Sequence, residues 1–129
     1  MEYAFLAGRL LFGGFFLGSG IKHFTSMDMM SKYAAGKNVP LPKVAIAVSG
    51  LLIILGGLGV ILGYHVHYAL ALIILFLVPV TFSMHAYWMD KDVMAKAANR
   101  VNFYKNLALL GACLMMWSLP YPWPFSLIK

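Results

Sequence analysis

Apolar positions in this 129-residue chain gather into four long runs separated by short polar connections. Residues 3–21, 44–62, 68–88 and 103–119 carry almost no charge, and each is near the ~17–25 apolar residues an α-helix needs to cross a bilayer core of ~30 Å. The pattern predicts an all-α membrane protein, a four-transmembrane-helix bundle that makes one domain of residues 1–129. Pro120 has no N–H for a continuing helix, so the fourth run ends before it. Between the first two runs, Thr25 and Asp28 have capping-box spacing, Met27, Met30 and Ala34 recur at helical intervals, and Gly36 suits a helix end. This predicts a short interfacial helix between helices 1 and 2; residues 92–98 read as a second one. Pro79 predicts a kink in the third run, with Thr81 or Ser83 supplying hydroxyls to freed carbonyls.

Composition reinforces the membrane reading. With 62% hydrophobic residues, 11% charged residues and a mean hydropathy of +0.82, the chain has too little polar surface to cover a water-soluble globule. The first run lacks basic residues before Arg9 and has no small-residue cleavage site, so it reads as a retained helix and not as a signal peptide. The net charge of +6 does not point to nucleic acid, because eight of the ten basic residues border just two connections. Lys22, Lys32, Lys37 and Lys43 flank the first, and Lys91, Lys96, Arg100 and Lys105 flank the third, whereas the 63–67 turn has none. The positive-inside rule then puts those two connections in the cytoplasm and both termini outside it, as for a prokaryotic plasma (inner) membrane protein. Aromatic residues mark the same borders, Tyr3, Tyr64, Tyr68, Tyr121 and Trp123 at one and Phe24, Tyr87, Trp88, Phe103 and Tyr104 at the other.

Few polar side chains remain to carry chemistry. Arg9 lies about 9 Å beyond Tyr3 along the first helix, where a charge is costly. All four acids, Glu2, Asp28, Asp90 and Asp92, fall outside the runs. Its expected partners are Glu2 with lipid phosphate or, alternatively, an anionic or carbonyl-bearing ligand. At the opposite border the topology gathers Ser19, Lys22 and His23 from the end of helix one, His85 and Trp88 from the end of helix three, and Lys105 and Asn106 from the start of helix four. These groups either bind a quinone carbonyl or an acidic partner, or serve as membrane anchors and interhelical hydrogen-bond glue. Gly14 with Gly18, and Gly59 with Gly63, have GxxxG spacing, which suits helix packing or a homodimer face. His65 and His67 supply two imidazoles with no further ligand beside them, so no metal site is expected. Cys113 is the one cysteine, which leaves neither an internal disulfide nor a CxxC dithiol. Redox chemistry must be borrowed from a cofactor or partner, and no catalytic residue declares itself.

Several motifs in order resemble the DoxX family of small four-helix membrane proteins. They are Gly8-Arg9-Leu10-Leu11 and Ser19-Gly20-x-Lys22 in helix one, Gly36-x-x-Val39-Pro40-x-Pro42 before helix two, Leu55-Gly56-Gly57 and Leu62-Gly63 within it, His85-x-x-Trp88, and Phe103-x-Lys105-Asn106-Leu107-Ala108. Members frequently have a glutamate just before the Leu-Gly-Gly step, where this chain has Ile53, so the resemblance supplies no acid for Arg9. It implies an accessory integral membrane subunit of a redox or thiol-homeostasis system, not an enzyme by itself, contacting quinone and docking a soluble oxidoreductase at its cytoplasmic face. The alternative it implies is a membrane chaperone or assembly factor that holds other membrane proteins.

Overall fold

The computed structural model describes residues 1–128. It is all-helical among those residues: α1 (Glu2–Thr25), α2 (Met27–Gly36), α3 (Pro42–Leu62), α4 (Val66–Ser83) and α5 (Val93–Trp117), with one 3₁₀ turn at Tyr87–Met89. Three stretches are long and apolar enough to cross a membrane: Glu2–Thr25, Pro42–Leu62 and Val66–Met89. α5 is not among them: it is apolar only beyond Phe103, because its first turns carry Lys96, Asn99, Arg100 and Asn102.

Local chemistry explains the boundaries and corrects several expectations. Pro42 opens α3 at its first turn, where a missing N–H costs nothing. Residues 92–98 do not form a separate helix. Asp92 accepts from the Ala95 N–H at 2.9 Å and caps a continuous α5. The Thr25 capping box is not formed either: Ser26 is the N-cap of α2 and the Thr25 hydroxyl turns back to the Lys22 carbonyl. α4 runs through Pro79 without ending, the Ser83 hydroxyl donates to the Pro79 carbonyl at 2.6 Å, and the helix stops at Ser83. His85 and Trp88 therefore sit on the turns that follow α4 and not on its last turn.

Small residues decide how closely the helices approach. A Cβ at Gly57 would lie 2.7 Å from the Gly13 carbonyl, and one at Gly20 would lie 2.8 Å from the Gly50 carbonyl, so α1 and α3 touch backbone to backbone along their length. Against α4, close contact is confined to the other side of α3, where Gly56 and Gly59 meet Ala69. The α3–α4 pair is thus pinned beside its connecting turn and filled further on by larger side chains. Gly14 and Gly18, the pair expected to pack, have open space around them; the packing face is displaced to Gly13 and Gly20. The core between the helices is Phe16, Ile53, Val60, Leu70, Ile73, Leu77 and Cys113. Leu11, Leu55, Leu75 and Val101 point outward and are exposed, as in a surface solvated by lipid.

The segment after α5 folds back over the end of the bundle that carries the α3–α4 turn. Trp123 is 3% exposed, stands edge-on against Phe5 and joins the core. Leu127 donates its N–H to the Leu62 carbonyl at 2.8 Å.

Candidate functional site

Arg9 is 1% exposed, and its partners are backbone carbonyls and not Glu2. Its guanidinium donates to Val60 O through Nε at 3.0 Å, to Ile61 O through Nη2 at 2.7 Å, to Phe125 O at 3.4 Å, and through Nη1 to Pro124 O. The reason is the end of α3. Gly63 takes φ +65° and closes a Schellman-type cap, with Tyr64 N–H on Gly59 O and Gly63 N–H on Val60 O. Ile61 and Leu62 remain without backbone partners from the helix, and Arg9 and Leu127 supply them. A cation at the negative end of the helix dipole is favourable, which offsets its desolvation. The space above Gly63 is already taken by Arg9 Nη2 and Ser126 Oγ, 2.9 and 2.5 Å from where its Cβ would stand. Arg9 ties α1 to the end of α3 and to the tail, at the end of the bundle opposite Ser19, His23, His85, Lys105 and Asn106.

The opposite end holds a cavity of about 580 Å³, a size usual for small-molecule sites. Its walls come from α1 to α4 and from the start of the apolar part of α5. Phe15, Phe16, Leu52, Phe76 and Pro79 make it mostly apolar, and Ser19, His23, Tyr33, His85, Lys105 and Asn106 make its polar side. Five expected residues, Ser19, His23, His85, Lys105 and Asn106, therefore share one cavity. Lys22 and Trp88 do not line it: Lys22 is exposed, and Trp88 packs edge-on against Tyr87 and Phe103 with half its surface open. Lys105 donates to Asn102 Oδ1 at 3.3 Å and holds its ammonium 5.5 Å from the Phe15 ring, linking α5 to α1.

Four further residues belong to this site. Asn99 is 5% exposed and lies at the centre of a network. Its Nδ2 donates to Asp90 Oδ2 at 2.8 Å and to Tyr33 Oη at 2.9 Å, and its Oδ1 faces His85 Nδ1 at 3.1 Å. Lys37 completes the chain with an ion pair to Asp90 at 2.5 Å. Lys37 and Asn99 hold the Asp90 carboxyl below the usual carboxylate range by donating to its charged form. The network joins α2, the turn after α4 and α5, and its inner member is the cavity-lining His85. The spacing signal was present: Asn99, Asn106 and Cys113, the three buried residues of α5, recur every seven positions on one face. His65 and His67 pack edge-on against Tyr64 and Trp117, respectively, at the other end.

The profile of the DoxX family matches residues 4–86. The chain belongs to the DoxX family. The match takes in Ser19, His23, Tyr33 and His85 and stops before α5, so Lys105 and Asn106 complete the cavity from outside the matched region, as does Asn99 behind His85 and Tyr33 in the network. The chain is also similar to the inner membrane protein YphA of Escherichia coli (strain K12), with 25% identity over 97 residues that span 75% of this chain and 69% of that protein. No solved structure matches. This DoxX protein is accordingly an integral membrane protein.

Proposed function

We propose that this DoxX protein is an accessory membrane subunit that holds the head of a lipophilic redox molecule, a quinone or its reduced form, in the cavity between its helices. One observation carries the reading. Asn106 is 6% exposed and lines the cavity, yet its amide has no hydrogen-bond partner among the described residues. Among the described residues, the unpaired polar atoms sealed from solvent are Trp123 Nε1 and Ser126 Oγ at the other end, whereas the Asn106 amide opens onto the cavity and offers an occupant both a donor and an acceptor. The apolar wall suits a ring and its tail, and the polar groups converge on one side, as expected of a site that orients an amphipathic molecule.

The remaining parts follow from charge and hydropathy. The chain crosses the inner membrane four times, α5 being the fourth span through its apolar half, with α2 lying in the interface. The end bearing Lys22, Lys32, Lys37, Lys43, Lys91, Lys96 and Arg100 faces the cytoplasm, and its basic residues dock an acidic soluble oxidoreductase that exchanges electrons with the bound molecule. The subunit is not an enzyme by itself. Purification from native membranes in mild detergent, followed by mass spectrometry of extracted lipids, tests the reading. A quinone present near one per protein is expected, and its absence together with failure to bind added quinone overturns it.

A second reading rests on α1. Gly8, Gly14 and Gly18 have nothing within 4 Å of a Cβ position, so a small-residue face is left for a partner helix, either in a homodimer or in an unassembled membrane protein under the care of a chaperone. Bulky substitutions at Gly14 and Gly18 that change the abundance of other membrane proteins favour this reading over the first.

A further inference from the structure

The hydrogen-bond polarity of the cavity selects the chemical form of its ligand. This inference rests on the proposed binding role and goes beyond it. Asp90 carries a carboxylate, which can only accept. It faces Asn99 Nδ2 at 2.8 Å and thereby fixes which end of the Asn99 amide is which. Asn99 Oδ1 is then the atom turned to His85 Nδ1, 3.1 Å away. An amide oxygen accepts, so His85 must carry its proton on Nδ1, and in the neutral imidazole Nε2 keeps its lone pair. His23 reaches the same state by a separate route. Its Nδ1 lies 2.7 Å from the Ser19 carbonyl, which also accepts, so its proton is on Nδ1 as well. Neither Nε2 has a hydrogen-bond partner among the described residues, and both imidazoles line the cavity.

We infer that the cavity presents two imidazole acceptors to its occupant and therefore selects a lipophilic molecule whose head donates hydrogen bonds, an alkylated hydroquinone or phenol, over the corresponding carbonyl form. Of the other polar groups on the wall, the Asn106 amide and the hydroxyls of Ser19, Tyr33, Ser49 and Ser83 serve either polarity, and the Lys105 ammonium, which gives one of its three N–H groups to Asn102, is the one dedicated donor against two fixed acceptors. The two histidines outnumber it. A carbonyl oxygen placed against a fixed Nε2 lone pair meets acceptor against acceptor, and the head loses both bonds at once. Lys37, Asp90 and Asn99 are positioning residues here: they set the proton on His85 without touching the ligand.

The test uses the full-length protein in lipid nanodiscs at pH 8, where imidazoles are neutral, under argon. Three probes of one shape are titrated: a decyl-substituted benzohydroquinone, its quinone and its dimethyl ether. The hydroquinone is expected to bind at least about tenfold more tightly than either of the other two. Equal binding of all three, or tighter binding of the quinone, overturns the selectivity while leaving the binding site standing. No binding by any of them overturns the binding role itself. A second variant separates positioning from folding. In Asp90→Asn an amide replaces the carboxylate, Asn99 is free to turn over, and His85 loses its fixed tautomer. The preference for hydroquinone over quinone is expected to fall several-fold with quinone affinity kept. A loss shared equally by both probes shows that Asp90 only supports the fold, and contradicts the relay.

Discussion

Arg9 on α1 donates through Nε to the carbonyl of Val60 on α3 at 3.0 Å, and the same guanidinium reaches the tail at Pro124 and Phe125. A charge within an apolar helix is thus neutralised by backbone dipoles at a helix end and not by an acid. Arg9→Leu is expected to lower stability by about 2–4 kcal/mol, since the carbonyls it covers lose their donors together. Arg9→Lys should recover part of that, because an ammonium keeps the charge but not the planar fork. Detergent melting reads the stability, and limited proteolysis after Trp117 reads release of the tail.

Glycines that look alike in the sequence should behave differently. Gly57→Ala forces a Cβ to 2.7 Å from the Gly13 carbonyl, and overpacking against backbone costs about 1–3 kcal/mol. Gly14→Ala and Gly18→Ala meet nothing and should leave melting of the monomer within about 0.5 kcal/mol of the parent. A marked loss at Gly18 would mean that α1 packs through the other face.

Asp90 makes the end of the bundle near α2 sensitive to acid. Its folded pKa lies below its ordinary value because Lys37 and Asn99 donate to the carboxylate. The unfolded chain takes up the proton first as pH falls, so the contribution is complete above the ordinary carboxylate range and is lost as pH drops through the lower, folded value. Melting temperatures of the parent chain and of Asp90→Asn, compared from pH 7 to pH 3, should converge at the acid end.

Orientation is open to direct labelling. Cys113 is fully buried, so single cysteines introduced at the exposed Lys96 and Ser118 report without background. An impermeant maleimide added to intact cells should label Ser118→Cys and spare Lys96→Cys, and the reverse pattern would invert the proposed topology.

How much was legible depends on how far apart the partners lie in the chain. The long apolar runs announced the helices because lipid demands internal backbone pairing over a fixed thickness. Ser19, His23, His85, Lys105 and Asn106 could be gathered from topology, since helix ends at one depth must be neighbours. The clamp on Arg9 was not legible: its acceptors are carbonyls 51 to 116 positions away, and every residue type offers a carbonyl. Asn99 was hidden for a different reason. The polar beginning of α5 read as a connection, and only continuity with the apolar half puts Asn99 on the face of Asn106 and Cys113.

The central claim is that the cavity holds the head of a lipophilic molecule, and photolabelling tests it most directly. A decyl-quinone carrying a diazirine on its tail is activated in nanodiscs containing the protein, and labelled peptides are mapped by mass spectrometry. Labels at cavity residues such as Leu52, Phe76 and Pro79, suppressed by excess unlabelled compound and reduced several-fold in Asn106→Leu at unchanged melting, are the predicted result. Labels confined to the lipid-facing surface, at Leu11 or Leu55 and indifferent to competitor, would contradict it.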